Sequence, residues 1–580
     1  MFLPLYNMIQ KAIPGYTELF GQPIFSYEDL LKEVSPHTGI LYCISLNNEL
    51  QAGLPYEINQ ARLMNQAQSI FTPEQKEFIN TRLFRLAVER QDRSIAEIFY
   101  KSALLAMLVK ELNRAGKRAD HTIHRENQFP LMLAYLLVID EENAKSRPHL
   151  DDAIAKKNQP LSEYRIIWEP LIRQYLFQEW VSPIFEVFKV GCLFKYSFEN
   201  WRTHLKNYLS TFGIQKVGDL VGSYKQLIDI AQREHTHQPL RKFTPIRSKN
   251  EVKHLQYLSV NSLIGKKNIE WPDLKKRPLY YHEEIGYLII DKDFLFKHIY
   301  RGTFFDLRST TALKSLDYGD YSTIVSTEVM EKIVLRAILS QLQKKAGLLI
   351  FDTGPDAGRG VPDAYYRHQQ VIFLFESKAT IFRDDLATAP NFDDLVDYLQ
   401  ERLIENEDGK PKGVGQLIKN IETIVGGGYS FDRSPGTAGK LTIYPILLHN
   451  DFQFSLPGIN NYLNDNFRSQ LKPELQQQAD IRDLTFINID WLFDLSLRDC
   501  SLLNLQRYID RYHELLKERK NALLSTRPDG DQFLRSHASF DEIYQFTFIK
   551  DLPDAADNPQ ILTDLLFHAG LTQDILDVEV

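Results

Sequence analysis

Residues 371–378, VIFLFESK, constrain the fold more tightly than any other stretch of this 580-residue chain. VIFLF (371–375) is continuously apolar and β-prone, with no polar face to offer water. A strand of that kind is buried on both faces, which requires a sheet covered by helices. It runs directly into Glu376-Ser377-Lys378. Residues two apart in a strand share a face, so Glu376 and Lys378 point the same way. Just upstream, DAYYR (363–367) reads as a second strand and HQQ (368–370) as the turn. With the hairpin centred near 369.5, facing positions sum to 739, and Asp363 falls opposite Glu376.

Two carboxylates side by side at the end of a buried sheet repel each other and are costly to desolvate. A divalent cation removes that cost, and an oxygen-rich site suits Mg²⁺. Such an ion lowers the pKa of a bound water and offsets charge on a phosphoryl oxygen. A neighbouring lysine can hold or deprotonate the attacking water and stabilise developing charge.

Pro362-Asp363 followed by Glu376-Ser377-Lys378 at the end of an apolar strand resembles the PD-(D/E)xK nuclease superfamily. The resemblance covers roughly residues 320–500 and implies an α/β restriction-endonuclease-like core, a mixed central sheet flanked by helices. It follows a large, mainly α-helical N-terminal region. The implied activity is Mg²⁺- or Mn²⁺-dependent phosphodiester hydrolysis, with Asp363 and Glu376 as metal ligands and Lys378 activating water. The bare triplet carries no weight: EQK (74–76), EVK (251–253), DLK (273–275), DGK (408–410) and ERK (518–520) also match it. None of these follows an apolar strand or has a hairpin partner.

The surroundings fit such a core. STEVMEKIVLRAILSQLQKK (326–345) reads as a helix with Ser326 as N-cap, and GLLIFDT (347–353) as the first strand. On a helical wheel Glu331 falls between Ile338 and Leu342 on the apolar face, with Glu328 towards its edge. A carboxylate on a packing face needs a reason. In the family a helix glutamate often joins the metal, which makes Glu331 the third candidate ligand and Glu328 the reserve. KGVGQLIKNIETIV (412–425) reads as a helix, and the resemblance assigns Gln416 near its start to the phosphate or the water. LTIYPILLHND (441–451) and FINID (486–490) read as further strands, the latter ending on Asp490 as a helix cap. His449, alone at a strand end, reads as a structural hydrogen-bonding residue. DTGPDAGRGVPD (352–363) reads as a mobile loop near substrate, with Arg359 able to meet a phosphate. GGGYSFDRSPGTAGKL (426–441) is a flexible connector rather than a nucleotide-binding loop, because Leu441 follows Gly439-Lys440 where Ser or Thr is required.

Five serial segments are expected: a small mixed region 1–60 with a strand at 39–46, a mainly helical domain 61–235, a basic connector 236–319, the nuclease domain 320–500, and C-terminal helices with an acidic tail 501–580. Helical patterning starts at Thr72-Pro73, passes through 95–113 and continues to 232, with a polar break near 140–160.

The net charge of −8 argues against an anionic partner until it is divided. Residues 201–280 hold 15 Lys and Arg against 6 Asp and Glu, whereas the last thirty residues hold seven acidic residues and no Lys or Arg. In the basic stretch Arg241, Lys242, Arg247, Lys249, Lys266, Lys267, Lys275, Lys276 and Arg277 are interleaved with Phe243, Trp271, Tyr280 and Tyr281. That combination suits a phosphate backbone with stacked bases. The expected partner is nucleic acid, most simply DNA, with a homo-oligomer or a regulatory protein as further partners. By analogy the expected role is endonucleolytic restriction or antiphage defence in bacteria. The alternatives are a catalytically silent nuclease-like module that binds nucleic acid or assembles, and an RNA-directed nuclease. Three scattered cysteines, no convincing signal peptide and no apolar run long enough to span a bilayer predict a soluble, cytoplasmic protein without disulfides.

Overall fold

The computed structural model describes residues 13–51, 56–69, 71–89, 98–117, 128–155, 161–175, 182–232, 242–243, 249–343, 347–352, 361–388, 391–427, 429–432, 440–498, 500–525, 530–553 and 559–571. The chain divides into two compact units, each drawn from two stretches of sequence. The first takes Met1–Ala155 and Tyr208–Asp306, the second Lys156–Asn207 and Leu307–Val580.

The first unit is mainly helical. The strand expected over 39–46 is instead part of the helix Pro36–Leu50. This helix is buried almost all round, so its sequence has no polar stripe, and a short apolar run does not distinguish strand from buried helix. Pro36 at the first helical position and the 15-residue length favour the helix. Thr72 opens the helix Pro73–Glu89 as expected: its hydroxyl accepts from the Gln75 amide at 3.3 Å while the Gln75 side chain accepts from the Thr72 amide at 3.0 Å. The polar break expected near 140–160 is absent through residue 155, because the helix Phe129–Ala155 continues across it. Glu141, Glu142, Ala144, Lys145 and Arg147 are good helix formers, and polarity alone does not end a helix.

A small antiparallel sheet completes this unit, with strands β1 (Lys242–Phe243), β2 (Leu279–His282) and β3 (Gly286–Ile289) in the order β1-β3-β2. The expected strand-then-helix over 286–300 is present. Asp291 accepts from the amides of Asp293 and Phe294, both at 3.0 Å, and starts the helix Lys292–Lys297.

The second unit is mixed α/β around a six-stranded sheet of β4 (Leu348–Phe351), β5 (Ala364–His368), β6 (Val371–Lys378), β7 (Thr442–His449), β8 (Asp480–Ile481) and β9 (Thr485–Asn488). β4, β5 and β6 are antiparallel neighbours, whereas β6, β7 and the β8/β9 edge run parallel. β8 and β9 pair with opposite ends of β7, so they act as one interrupted edge strand. The parallel β6–β7 step requires a crossover, and the helix Gly413–Val425 supplies part of it and packs on both strands. Residues 372–377 of β6 are buried, as the unbroken apolar run requires.

Two helix starts differ from expectation. The helix expected from Ser326 begins at Tyr318, capped by Asp317, whose carboxylate accepts from the Gly319 amide at 2.7 Å. It then passes through a wider π-helical segment, Val325–Leu335, into Arg336–Leu342. Ser326 is thus interior to the helix. After β9 the cap of the helix Ile489–Leu497 is Asn488, accepting from the Asp490 amide at 3.0 Å, rather than Asp490 itself. In both cases an Asp or Asn earlier in the chain takes the cap, Asp317 nine residues before Ser326 and Asn488 two before Asp490.

The helix Pro559–His568 forms where the tail has apolar spacing and packs on Arg336–Leu342, while five of the tail's seven acidic residues lie outside the described residues. All three cysteines are buried and none is in a disulfide. Among the described residues no helix is long and apolar enough to cross a membrane.

Candidate active site

The hairpin register places the chemistry. Ala364 pairs with Phe375 and His368 with Val371, the register in which Asp363, one residue before β5, stands opposite Glu376. The two-residue turn Gln369-Gln370 takes a positive φ of 54° at Gln369, which suits a tight hairpin, and Arg367 Nε donates to the Gln369 carbonyl at 2.9 Å. Asp363 is fastened to the other strand directly: its Oδ2 accepts the Ser377 amide at 2.6 Å.

Glu376 is 2% exposed. Its Oε1 accepts from Asn420 Nδ2 at 2.9 Å, whereas Oε2 is buried with no hydrogen-bond partner and lies 3.6 Å from Lys378 Nζ. Burial first, then the charge of Asp363, pushes the Glu376 carboxyl up to about 8 despite the opposing Lys378 and Asn420. Asp363 is raised as well, chiefly by burial, with Lys378 and the Ser377 amide opposing.

Glu331 belongs to the same electrostatic group. Burial, then Asp363, lifts its carboxyl to about 8, with Lys378 and the Ser326 hydroxyl opposing. The Ser326 hydroxyl approaches Glu331 Oε1 at 3.4 Å. Glu328, the reserve candidate, faces elsewhere: it pairs with Lys332 at 2.7 Å and lines a cavity of about 630 Å³ with Lys195 and Tyr196.

Gln416 lies on the helix Gly413–Val425 one turn before Asn420, so the two share a face. Its Oε1 is buried without a hydrogen-bond partner. His449 is structural in its contacts, with Nδ1 at 3.0 Å from the Asp451 carbonyl and Nε2 at 3.2 Å from Asp541.

Three participants were not legible in advance. Asn420 holds Glu376, Tyr429 holds Asn420, and Asp352, just past β4, adds negative charge near Glu331 and Asp363. Asp352 had a signal, being a carboxylate at the end of the strand beside the hairpin. Part of the segment expected to be a flexible connector is pinned: Asp432 is buried, accepting from Tyr365 at 2.6 Å and Arg367 at 2.5 Å.

The basic candidates divide differently. Arg241, Arg247 and Arg359 lie outside the described residues, and for Lys242 and Lys249 only the backbone is described. The remaining five are in the first unit. Lys267 pairs with Asp273 at 2.7 Å, Lys275 sits over the Trp271 ring at 4.7 Å, and the Arg277 guanidinium stacks 3.8 Å from the centre of the Tyr257 ring. Lys266 and Lys276 are exposed.

Among the described residues no three Asp, Glu, His or Cys side chains already surround a point where a metal ion could sit. The donor set nevertheless fits a hard cation. Mg²⁺ binds through one or two carboxylates and completes its shell with water and phosphate, and Glu376 Oε2, which has no hydrogen-bond partner, offers that minimal set together with Asp363. No family model, curated protein or solved structure matches the chain.

Proposed function

We propose that the second unit is a metal-dependent nuclease with a restriction-endonuclease-like core, cutting DNA endonucleolytically. The observation that carries this reading is the end of β6: Glu376 is buried beside Asp363, one of its oxygens has no hydrogen-bond partner, and Lys378 projects from the same strand face. Two buried carboxyls side by side are costly to charge, which raises both, and a bound cation would offset that cost in place of a proton. The antiparallel β4-β5-β6 set followed by parallel β7, with a helix packed on β6 and β7, is compatible with the proposed core.

Asp363, Glu376 and, through its position, Glu331 would hold Mg²⁺ or Mn²⁺. When bound, the ion would offset charge on a phosphoryl oxygen and acidify water. Lys378, an ammonium 3.6 Å from Glu376, would orient the attacking water and stabilise charge building on the phosphate. Gln416 would offer its amide to the water or to a phosphate oxygen. The acidic group would repel an approaching phosphate without the cation, so activity should need metal absolutely.

One observation favours the runner-up, a silent nuclease-like module that binds nucleic acid: the carboxylates do not already converge on one point. Both readings are separated by incubating the full chain with plasmid, linear duplex, single-stranded DNA and RNA, with and without Mg²⁺ or Mn²⁺. Metal-dependent nicking of plasmid that is lost in Glu376→Ala supports the nuclease. Binding without cleavage under every condition replaces it with the silent module, and cleavage of RNA alone reassigns the substrate.

A further inference from the structure

We propose that Asn420 is the positioning residue for Glu376, and that Tyr429 sets Asn420 in turn. The inference rests on the metal-dependent reading above and adds a relay that reaches the site from outside it. A carboxylate only accepts, a phenol donates to an amide oxygen, and an amide nitrogen donates. The bonds follow that single direction: Tyr429 OH donates to Asn420 Oδ1 at 2.8 Å, and Asn420 Nδ2 donates to Glu376 Oε1 at 2.9 Å. The two oxygens of Glu376 are thereby made unequal. Oε1 is committed to the helix, and Oε2 is left without a hydrogen bond on the side of Lys378.

Both ends of the relay are anchored. Asn420 is 5% exposed and sits on the helix that packs on β6 and β7. Tyr429 stacks on Phe431 with ring centres 4.9 Å apart and meets Tyr365 of β5 edge-on at 6.0 Å. Asp432, one residue beyond Phe431, is bound to Tyr365 and Arg367 of the same strand. Residues 429–432 therefore tie the helix that carries Asn420 to the hairpin that carries Asp363 and Glu376. A partner that orients a ligating carboxylate typically controls metal affinity by about 10–100-fold.

The test measures Mn²⁺ binding to the full chain by titration calorimetry and electron paramagnetic resonance, independently of turnover. Alongside it, the Mg²⁺ concentration for half-maximal cleavage and the KM for plasmid DNA are read for wild type, Asn420→Ala, Tyr429→Phe and Glu376→Gln. Asn420→Ala should weaken Mn²⁺ binding and raise the Mg²⁺ requirement by about 10-fold or more, with the DNA KM within about twofold of wild type. Tyr429→Phe should shift the same two quantities in the same direction by a smaller factor. Should Asn420→Ala fail to fold, Tyr429→Phe carries the test alone. Wild-type metal affinity in a folded Asn420→Ala, or in Tyr429→Phe when the former is unfolded, overturns the relay while leaving the nuclease reading intact. A wild-type chain that neither binds Mn²⁺ nor cleaves overturns both.

Discussion

Asp363 Oδ2 accepts the backbone amide of Ser377 at 2.6 Å, locking the carboxylate of one strand to the strand that carries Glu376 and Lys378. The bond spans the hairpin between the two positions that sequence register places face to face, and it fixes the Asp363 carboxylate beside Glu376. Because the amide favours the charged carboxylate while burial disfavours it, this oxygen pair is under opposing demands, and several outcomes follow from that.

Removing the Glu376 charge should stabilise the metal-free protein. Its carboxyl is raised from 4.5 to about 8 in the folded state, so the folded protein holds a proton that the unfolded chain releases between those values. Stability from this group is present below pH 4.5 and is lost as pH rises through about 8. In EDTA, Glu376→Gln should therefore match wild type near pH 4.5 and exceed it by on the order of 2–4 kcal/mol at pH 8.5. Denaturant unfolding at the two pH values measures it, and an equal offset at both would refute the assignment.

Lys378→Ala should leave thermal unfolding near wild type and reduce metal-dependent cleavage by about 100-fold or more, the range expected of a residue that moves or holds a proton. Full activity in the folded variant removes Lys378 from the site. Lys378→Arg tests the chemistry further, since a guanidinium does not deprotonate and should rescue little.

Arg367 and Asp432 form a buried pair, 8% and 7% exposed at the side chain. Asp432→Ala strands the guanidinium and should cost about 3–5 kcal/mol. The double variant Arg367→Met/Asp432→Ala should recover a large part of that. If the double variant is as unstable as the sum of the singles, charge burial is not the reason.

Acid should weaken the first unit. His254 and His298 are buried, and burial drops each imidazole from 6.5 to about 3, helped at His254 by the charge of His298 and at His298 by that of Arg277. Asp306 lies 3.9 Å from His298, and its own carboxyl is raised by burial. The unfolded chain binds these protons first, so the stability is present above pH 6.5 and is lost as pH falls through about 3. His254 packs between the rings of Phe212 and Tyr224 at 5.2 and 5.3 Å. His254→Phe should therefore flatten the acid side of a stability-against-pH curve, and an unchanged slope from pH 6.5 to 4 would contradict this.

The sequence by itself determined the local part of the site. The hairpin centre read near 369.5 puts Asp363 opposite Glu376, in line with the pairing of Ala364 with Phe375, although His368, expected in the turn, belongs to the strand; period-two alternation sets Lys378 on the face of Glu376. Glu331 and Glu328 do face apart, one towards Asp363 and the other onto Lys332, but they lie in a π-helical segment to which an α-helical wheel does not strictly apply. Only the tertiary structure decided what lies between elements distant in sequence. Asn420 is 44 residues from Glu376, and nothing in the spacing of QLIKN announces that its amide reaches that carboxylate. Residues 39–46 read as strand yet lie within the helix Pro36–Leu50, because burial on every side erases the periodicity that distinguishes the two, and neighbours decide.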